Sequence, residues 1–308
     1  MNRREFLGTA AVCLAAPRLS RPTRARTASR LILLGTAGGP RPRATRAASA
    51  QAIVVGDTAY VVDCGDGVAR QLVLAGVPLR AVRHVFITHH HSDHNADYGN
   101  LILLAWAAGL RTRLDSWGPA PLARMTDLVF EMNAADIAAR TPDEIRVPLR
   151  PLVHAHELRE GGVVLEDENG RVTAALVHHP PFVRAFGYRF DMPDRSIVFS
   201  GDTTRSDSLA KLAHNADVLV HEALYDEAAV ERLVASVPNA TDLKRSILAH
   251  HTTAEDVGRV AAAAGVRMLV LSHLIPAEDP EVTEEMWISA ARRHFDGRIV
   301  VAKDLMEL

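Results

Sequence analysis

The chain carries the stretch Thr88-His89-His90-His91-Ser92-Asp93-His94 directly after the hydrophobic run of residues 82–87. Such a run predicts a buried strand, so we expect the histidines on the loop that leaves it. An ordinary core would not bury so many polar groups in so few residues. A loop lets alternate side chains converge on one metal. Imidazole with carboxylate suits zinc first, with iron or manganese as alternatives. The competing interpretation is a solvated His-rich tract.

Matching motifs recur downstream and carry a family resemblance. They are His178-His179-Pro180-Pro181, Ser200-Gly201-Asp202-Thr203, His221-Glu222-Ala223, His250-His251-Thr252-Thr253 and Ser272-His273. With them the chain resembles the metallo-β-lactamase superfamily, whose signature is the H-x-H-x-D-H spacing of residues 89–94. The resemblance covers residues 30–308.

Three further stretches resemble the ribonuclease Z-like branch of that superfamily, which also holds arylsulfatases and phosphodiesterases. Residues 34–46 resemble its opening strand and loop. The segment Asp63-Cys64-Gly65-Asp66-Gly67 with Gln71 resembles its D-C-G-E-G-x-x-x-Q element. His221-Glu222-Ala223 and His251-Thr252-Thr253 resemble its H-E-A-T and H-S-T elements.

Short apolar runs predict strands in two halves of the chain. They fall at residues 31–34, 52–55, 60–63 and 82–88, and then at 163–166, 171–177, 186–190, 197–200, 218–220, 268–272 and 298–301. Helices are predicted at residues 68–75, 101–110, 121–139, 253–265 and 281–294. This order predicts an α/β fold in which two mixed β-sheets pack face to face between helices. The resemblance implies the same αββα sandwich, with the chemistry along one open edge.

The resemblance also implies a full set of ligands for two metal ions. It assigns the first ion to His89, His91 and His179, the second to Asp93, His94 and His273, and the bridging position to Asp202. Two divalent ions that share a carboxylate can hold a nucleophilic hydroxide. We therefore expect two zinc ions per chain, with manganese or iron as alternatives. Asp93 is also the candidate to orient or deprotonate the water.

Two histidine choices stay open. Either His178 or His179 could be the ligand, and the resemblance favours His179 because the family histidine precedes the turn that Pro180-Pro181 forms. His251 competes with His250 for a role beside Glu222. The resemblance implies that Glu222 orients His251, which protonates the leaving group or contacts the scissile phosphate. Such a pair argues for phosphoester or sulfate-ester chemistry.

Residues 1–29 resemble a twin-arginine export signal followed by a linker. Arg3-Arg4 precedes an apolar run too short to span a bilayer, so no stable membrane anchor is expected. We predict a signal and linker at residues 1–29, a hydrolase domain at residues 30–308, and a periplasmic or secreted location. Residues 1–29 hold six Arg and one Glu, so the rest has 29 basic and 36 acidic residues, a net charge of −7. That charge is a poor match to RNA.

These observations predict an exported dinuclear zinc hydrolase of small anionic esters, either a phosphodiester or an aryl sulfate, that uses a metal-bridging hydroxide. One alternative is a ribonuclease Z-type endonuclease that processes the 3′ ends of tRNA, although the charge and the export signal argue against a nucleic-acid partner. A lactonase or thioesterase is another. A metal-binding protein with an inactive site would be expected to have lost some of the seven ligands. A homodimer is compatible with the sequence.

Overall fold

The computed structural model describes residues 28–308, apart from Ser236 and Asn239. The predicted export signal lies outside the described residues, so the division of the chain at residue 30 stays a prediction. Over the part of the chain that is described, no helix combines the length and the apolar character that crossing a membrane requires.

The first sheet is built mostly from the amino-terminal half. Its strands are β1 (Arg30–Gly35), β2 (Ala50–Val55), β3 (Thr58–Val62), β4 (Val82–Phe86), β5 (Leu114–Pro119), β6 (Val153–Leu158) and β14 (Met306–Glu307). Within residues 28–308 their order is β14-β1-β2-β3-β4-β5-β6. The pairs from β14 to β3 are antiparallel and those from β3 to β6 are parallel.

The second sheet repeats this mixed pattern. Its strands are β7 (Gly162–Asp167), β8 (Gly170–His179), β9 (Phe182–Asp191), β10 (Ser196–Phe199), β11 (Val218–Leu224), β12 (Met268–Ile275) and β13 (Arg298–Val301). Their order is β13-β12-β11-β10-β9-β8-β7. Strands β7 to β10 pair antiparallel and strands β10 to β13 pair parallel.

Helices lie outside the two sheets, several of them on the outer faces and others at the edge that carries the polar motifs. They are α1 (Val68–Leu74), α2 (Ser92–Asn95), α3 (Tyr98–Ala107), α4 (Leu122–Met132), α5 (Ala134–Asp143), α6 (Asp207–Leu212), α7 (Glu227–Val234), α8 (Ala240–His250), α9 (Ala254–Ala264) and α10 (Glu284–Arg292). Short 3₁₀ turns span Leu79–Ala81 and Arg150–Leu152.

Apolar side chains fill the space between the sheets and under the helices. Phe86 of β4 packs edge-on against Phe190 of β9, with ring centroids 5.1 Å apart. Trp106 of α3 is buried against the first sheet, and Val257 of α9 against the second. Each sheet therefore buries one face on its partner and the other on helices. The predicted αββα sandwich is confirmed.

Several elements differ from the sequence prediction. The single helix expected at residues 121–139 is two helices, α4 and α5. Strand β6 was not predicted, because it is an edge strand whose His154 and His156 stay half-exposed and give no apolar alternation. Helices α7 and α8 were not predicted either. They lie between Glu222 and His251, beside the candidate site.

Candidate metal centre

The polar motifs meet at one edge of the sandwich. Strands β4, β10, β11 and β12 end there, and β8 ends beside them with His179. Because the carboxyl ends of parallel strands lie at the same edge of a sheet, loops far apart in sequence become neighbours. Over the residues that the structure describes, three groups of side chains have ligand atoms that lie within 4.8 Å of one another. The two that share Asp202 are His89, His91, His179 and Asp202, and then Asp93, His94, Asp202 and His273; the third is Glu222, His251 and His273.

The first group has the geometry of a histidine triad with one carboxylate. The Nδ1 atom of His91 lies 3.0 Å from Nε2 of His89 and 3.1 Å from Nε2 of His179. Both Nε2 atoms lie 3.8 Å from Oδ2 of Asp202. Neutral imidazole is the form that binds a metal. Burial lowers the pKa of His179 to about 4, and burial, followed by the charge of His94, lowers the pKa of His89 well below its usual value.

The second group shares Asp202 with the first. Oδ2 of Asp202 lies 3.3 Å from Nε2 of His94 and 3.3 Å from Nε2 of His273. Oδ2 of Asp93 is 3.2 Å from Nε2 of His273. Burial raises the pKa of Asp202, but the imidazoles of His273 and His94 outweigh it and hold that pKa well below its usual value. Asp202 is therefore ionised and faces both groups.

The chemistry of these residues fits divalent metal. Among the described residues, the buried atoms Nε2 of His94 and Oδ1 of Asp202 have no hydrogen-bond partner. An unpaired buried polar group costs about 1–3 kcal/mol, and more when it is charged. Metal coordination would satisfy both atoms, and imidazole and carboxylate ligands suit zinc. The ligand chemistry of these two groups and their unpaired buried atoms indicate that the chain binds divalent metal.

Asp63 supports the centre, a role that the sequence analysis missed. Its Oδ2 atom lies 2.7 Å from Nδ1 of His94, and its Oδ1 accepts the backbone N–H of Thr88 at 2.8 Å. Asp63 is 2% exposed and has a φ of 61°, a left-handed conformation that is rare outside glycine. The bond to Nδ1 turns Nε2 of His94 toward Asp202. A polar residue directly after the apolar strand β3 was the available signal.

The structure brings His179, and not His178, into the cluster. His179 is fully buried and its Nδ1 donates to the carbonyl of His250 at 3.0 Å, while His178 is exposed. The register of β8 against β9 shifts between Val177 and His179. The alternation of buried side chains changes phase between Ala174 and Val177, so counting every second residue from Ala174 would have chosen His178.

Glu222 and His251 lie together next to Asp202. Nδ1 of His251 is 3.4 Å from Oε1 of Glu222, which also accepts the backbone N–H groups of Thr203 and Thr252. Burial lowers the pKa of His251, but the Glu222 carboxylate outweighs burial and raises it to about 9. His250 instead contributes its backbone carbonyl. The pair therefore has the geometry for a positively charged imidazole held at the centre.

A cleft of about 360 Å³ opens over the centre. Asp93, His179 and His251 are part of its floor, and Arg41 and Arg43 line it. The backbone N–H of Gly39 donates to Oδ2 of Asp93 at 3.0 Å and ties the arginine-bearing loop to the floor. The cleft thus joins metal-binding side chains to guanidinium groups, a combination that suits a phosphate-containing substrate.

Comparison with known proteins identifies the family. The model of the beta-lactamase superfamily domain matches residues 58–274. The chain belongs to this superfamily. It is 31% identical over 278 residues to the ribonuclease Z of Mycobacterium bovis (strain BCG / Pasteur 1173P2), covering 89% of this chain and 96% of that protein. It is 32% identical to the ribonuclease Z of Mycobacterium sp. (strain KMS), over 89% of this chain and 93% of that protein.

Solved structures of the superfamily share the fold. The metallo-beta-lactamase fold protein YhfI from Bacillus subtilis aligns with a TM-score of 0.66 and 23% identity, over 91% of this chain and 98% of that one. The short form of human tRNase Z aligns with a TM-score of 0.65 and 21% identity, over the same shares of the two chains. The predicted superfamily and its ribonuclease Z-like branch are confirmed.

The relatives correct the predicted function. An exported hydrolase of small anionic esters was expected, but relatives matched over nearly their whole length are named ribonuclease Z. Metal-dependent hydrolysis of ester bonds is confirmed, and aryl sulfate as substrate is wrong. The net charge does not exclude nucleic acid, because it sums over residues 30–308, whereas Arg41 and Arg43 lie at the cleft. Export and a homodimer stay predictions.

Proposed function

We propose that this chain is a ribonuclease of the ribonuclease Z type, which cleaves a phosphodiester bond at the 3′ end of precursor tRNA. The observation that carries the proposal is the near-full-length match to proteins named ribonuclease Z. A hydrolase centre with a guanidinium-lined cleft supports it, because phosphate is the group that such a cleft binds best.

In this proposal two zinc ions bind at the two ligand groups. His89, His91 and His179 would hold one ion and Asp93, His94 and His273 the other, with Asp202 shared between them. Metal bound there would lower the pKa of water to near neutrality and neutralise charge on the phosphoryl oxygens. Asp93 contributes a second function, since its carboxylate faces the cleft and can orient the attacking water.

His251 would serve the leaving group. Its Nδ1 atom faces Glu222, so the opposite ring nitrogen is left for the substrate. With a pKa raised to about 9 the imidazole carries a proton at neutral pH. That proton can pass to the departing ribose oxygen or pair with the scissile phosphate. Glu222 acts as a positioning residue. The backbone N–H groups of Thr203 and Thr252 hold its carboxylate in place, and the carboxylate in turn orients His251.

The proposal is tested with the full-length chain, loaded with zinc or with manganese. The substrate is a 5′-labelled precursor tRNA that carries a 3′ trailer, and bis(4-nitrophenyl) phosphate is assayed in parallel. We expect one cut that removes the trailer. The matched variants are Asp202→Asn, which removes the shared charge, and Asp217→Asn, which changes a carboxylate away from the centre and keeps activity. Hydrolysis of the chromogenic diester without cleavage of the precursor, by protein that holds both metals, would overturn the RNA substrate.

A further inference from the structure

One side of the cleft over the metal centre is aliphatic. We call this surface the aliphatic wall. It is formed by the end of α7, the segment that follows it, helix α8 and the end of β12, through Leu233, Val234, Val237, Leu243, Ile247 and Ile275. The same cleft contains Asp202 and His251 on its floor and Arg41 and Arg43 elsewhere on its lining. Metal-binding and aliphatic surfaces therefore face the same cleft.

Part of the aliphatic wall packs against a buried cluster. Val234 and Ile275 belong to a buried cluster with Leu224 and Val230, and Ile247 packs against that cluster. Lys244 of α8 lies 3.0 Å from a carboxylate oxygen of Glu227 on α7. The part of the wall on α7 and β12 thus packs against buried side chains, and α8 joins it through partly buried side chains such as Ile247.

The wall is also tied to the metal-binding residues. Helix α8 ends at His250, whose carbonyl accepts a hydrogen bond from Nδ1 of His179 at 3.0 Å. Arg41 donates to the carbonyl of Leu233 at 3.3 Å. A phosphate bound at the centre would therefore have an aliphatic surface beside it at a fixed place.

The chemistry of the wall indicates what it contacts. Its members offer only hydrocarbon, and Leu243 is 37% exposed within the cleft lining. Phosphates and ribose hydroxyls gain nothing from such a surface. The flat face of a nucleobase is apolar, and the ribose holds it one sugar away from the phosphate in every nucleotide. Hydrocarbon presents no donor or acceptor, so it cannot distinguish one base edge from another.

We propose that the aliphatic wall binds the face of the nucleobase next to the scissile phosphate, and that it recognises the presence of a base and not its identity. This inference rests on the proposed ribonuclease function, since it names a subsite of the same cleft. Leu243 is the wall residue most suited to substitution, because its exposure makes a change easy to tolerate.

The test measures binding of AMP and of ribose 5-phosphate, which share the sugar and the 5′-phosphate and differ at C1′, where AMP carries the base and ribose 5-phosphate a hydroxyl. Calorimetry on the zinc-loaded full-length chain gives both dissociation constants without relying on turnover. We expect AMP to bind about tenfold tighter, equal to about 1.4 kcal/mol. At about 25 cal/mol per Å², this needs only roughly 55 Å² of apolar contact. UMP, CMP and GMP should match AMP to within about threefold, in line with sequence-tolerant contact to base faces.

Three variants test whether the preference for AMP over ribose 5-phosphate depends on Leu243. Leu243→Ser should reduce the preference for AMP to about twofold, consistent with loss of one apolar contact, and leave ribose 5-phosphate binding unchanged. Leu243→Met should keep the preference. Leu128→Ser changes a leucine of similar exposure, 44%, on α4 away from the cleft, and should also keep it. Thermal melting confirms that each variant is folded.

Two results would overturn the inference. One is equal affinity of the wild-type chain for AMP and ribose 5-phosphate. The other is a preference for AMP that Leu243→Ser leaves intact, which would locate the base elsewhere. Either result leaves the cleavage of precursor tRNA untouched. Conversely, a base preference that depends on Leu243, in a chain that does not cut precursor tRNA, would reject the proposed function and keep the subsite.

Discussion

Replacing Asp63 by Asn should weaken metal binding without disturbing the backbone. The carboxylate accepts from Nδ1 of His94 at 2.7 Å and from the backbone N–H of Thr88 at 2.8 Å. The side chain of Asn has one accepting oxygen, but there are two N–H donors, on His94 and on Thr88. Whichever way the amide is turned, its NH₂ group therefore faces one of these donors. Asn tolerates the φ of 61° at this position better than other residues do. The change therefore acts on hydrogen bonding and not on backbone strain.

The expected loss of metal affinity follows from the tautomer of His94. If Nδ1 must accept from the new amide, the ring proton moves to Nε2, the atom that faces Asp202 at 3.3 Å. A protonated Nε2 cannot bind metal. Removing a partner that orients a metal-binding histidine costs about 10–100-fold in metal affinity, which corresponds to about 1.4–2.7 kcal/mol. The metal-free protein should lose about 1–3 kcal/mol of unfolding free energy as well.

Competition with a chromogenic chelator measures the zinc affinity, and urea unfolding of the metal-free chain measures stability. Asp217→Asn is the matched control, because Asp217 accepts the backbone N–H of Ser196 at 2.8 Å but contacts no histidine. Its zinc affinity should equal that of the wild type. An Asp63→Asn chain that binds two zinc ions with wild-type affinity would refute the argument that Asp63 sets the tautomer of His94.

Three further outcomes are expected. Asp202→Ala should lose both metals, because its carboxylate faces both ligand groups, and elemental analysis that still finds two zinc ions per chain would contradict this. His251→Ala should keep both metals while kcat on precursor tRNA falls about 10²–10⁴-fold, the range for loss of a general acid; unchanged turnover would remove His251 from the chemistry. Replacing Arg3 and Arg4 by Lys should leave the chain in the cytoplasm if residues 1–29 direct export, and cell fractionation in which wild type and variant share one location would reject that prediction.

Part of the metal centre could be predicted because several of its ligands lie close together in the sequence. One short loop after a buried strand is enough to bring together His89, His91, Asp93 and His94. The spacing of these residues is also the family signature. Asp202 and His273 follow or end apolar strands in the same way. The alternation of strands and helices likewise predicts two layered sheets, since each amphipathic element must bury one face.

The function was harder to predict from composition. A net charge of −7 for residues 30–308 describes the average surface, but binding depends on the field at the cleft, where Arg41 and Arg43 lie. Charges elsewhere on the surface are screened from the cleft over distances of about 8–10 Å in physiological salt. Only the folded arrangement shows which charges a substrate meets.

The sequence by itself determined the family, the sandwich and the local histidine cluster of residues 89–94. The tertiary structure decided that His179 faces inward, because the alternation of buried side chains along β8 changes phase between Ala174 and Val177. It also decided that Asp63 supports His94, 31 residues away along the chain, and that α7 and α8 border the cleft. The physical reason is that spacing fixes geometry only within one loop or strand, whereas contacts between distant segments depend on how the sheets pair and pack.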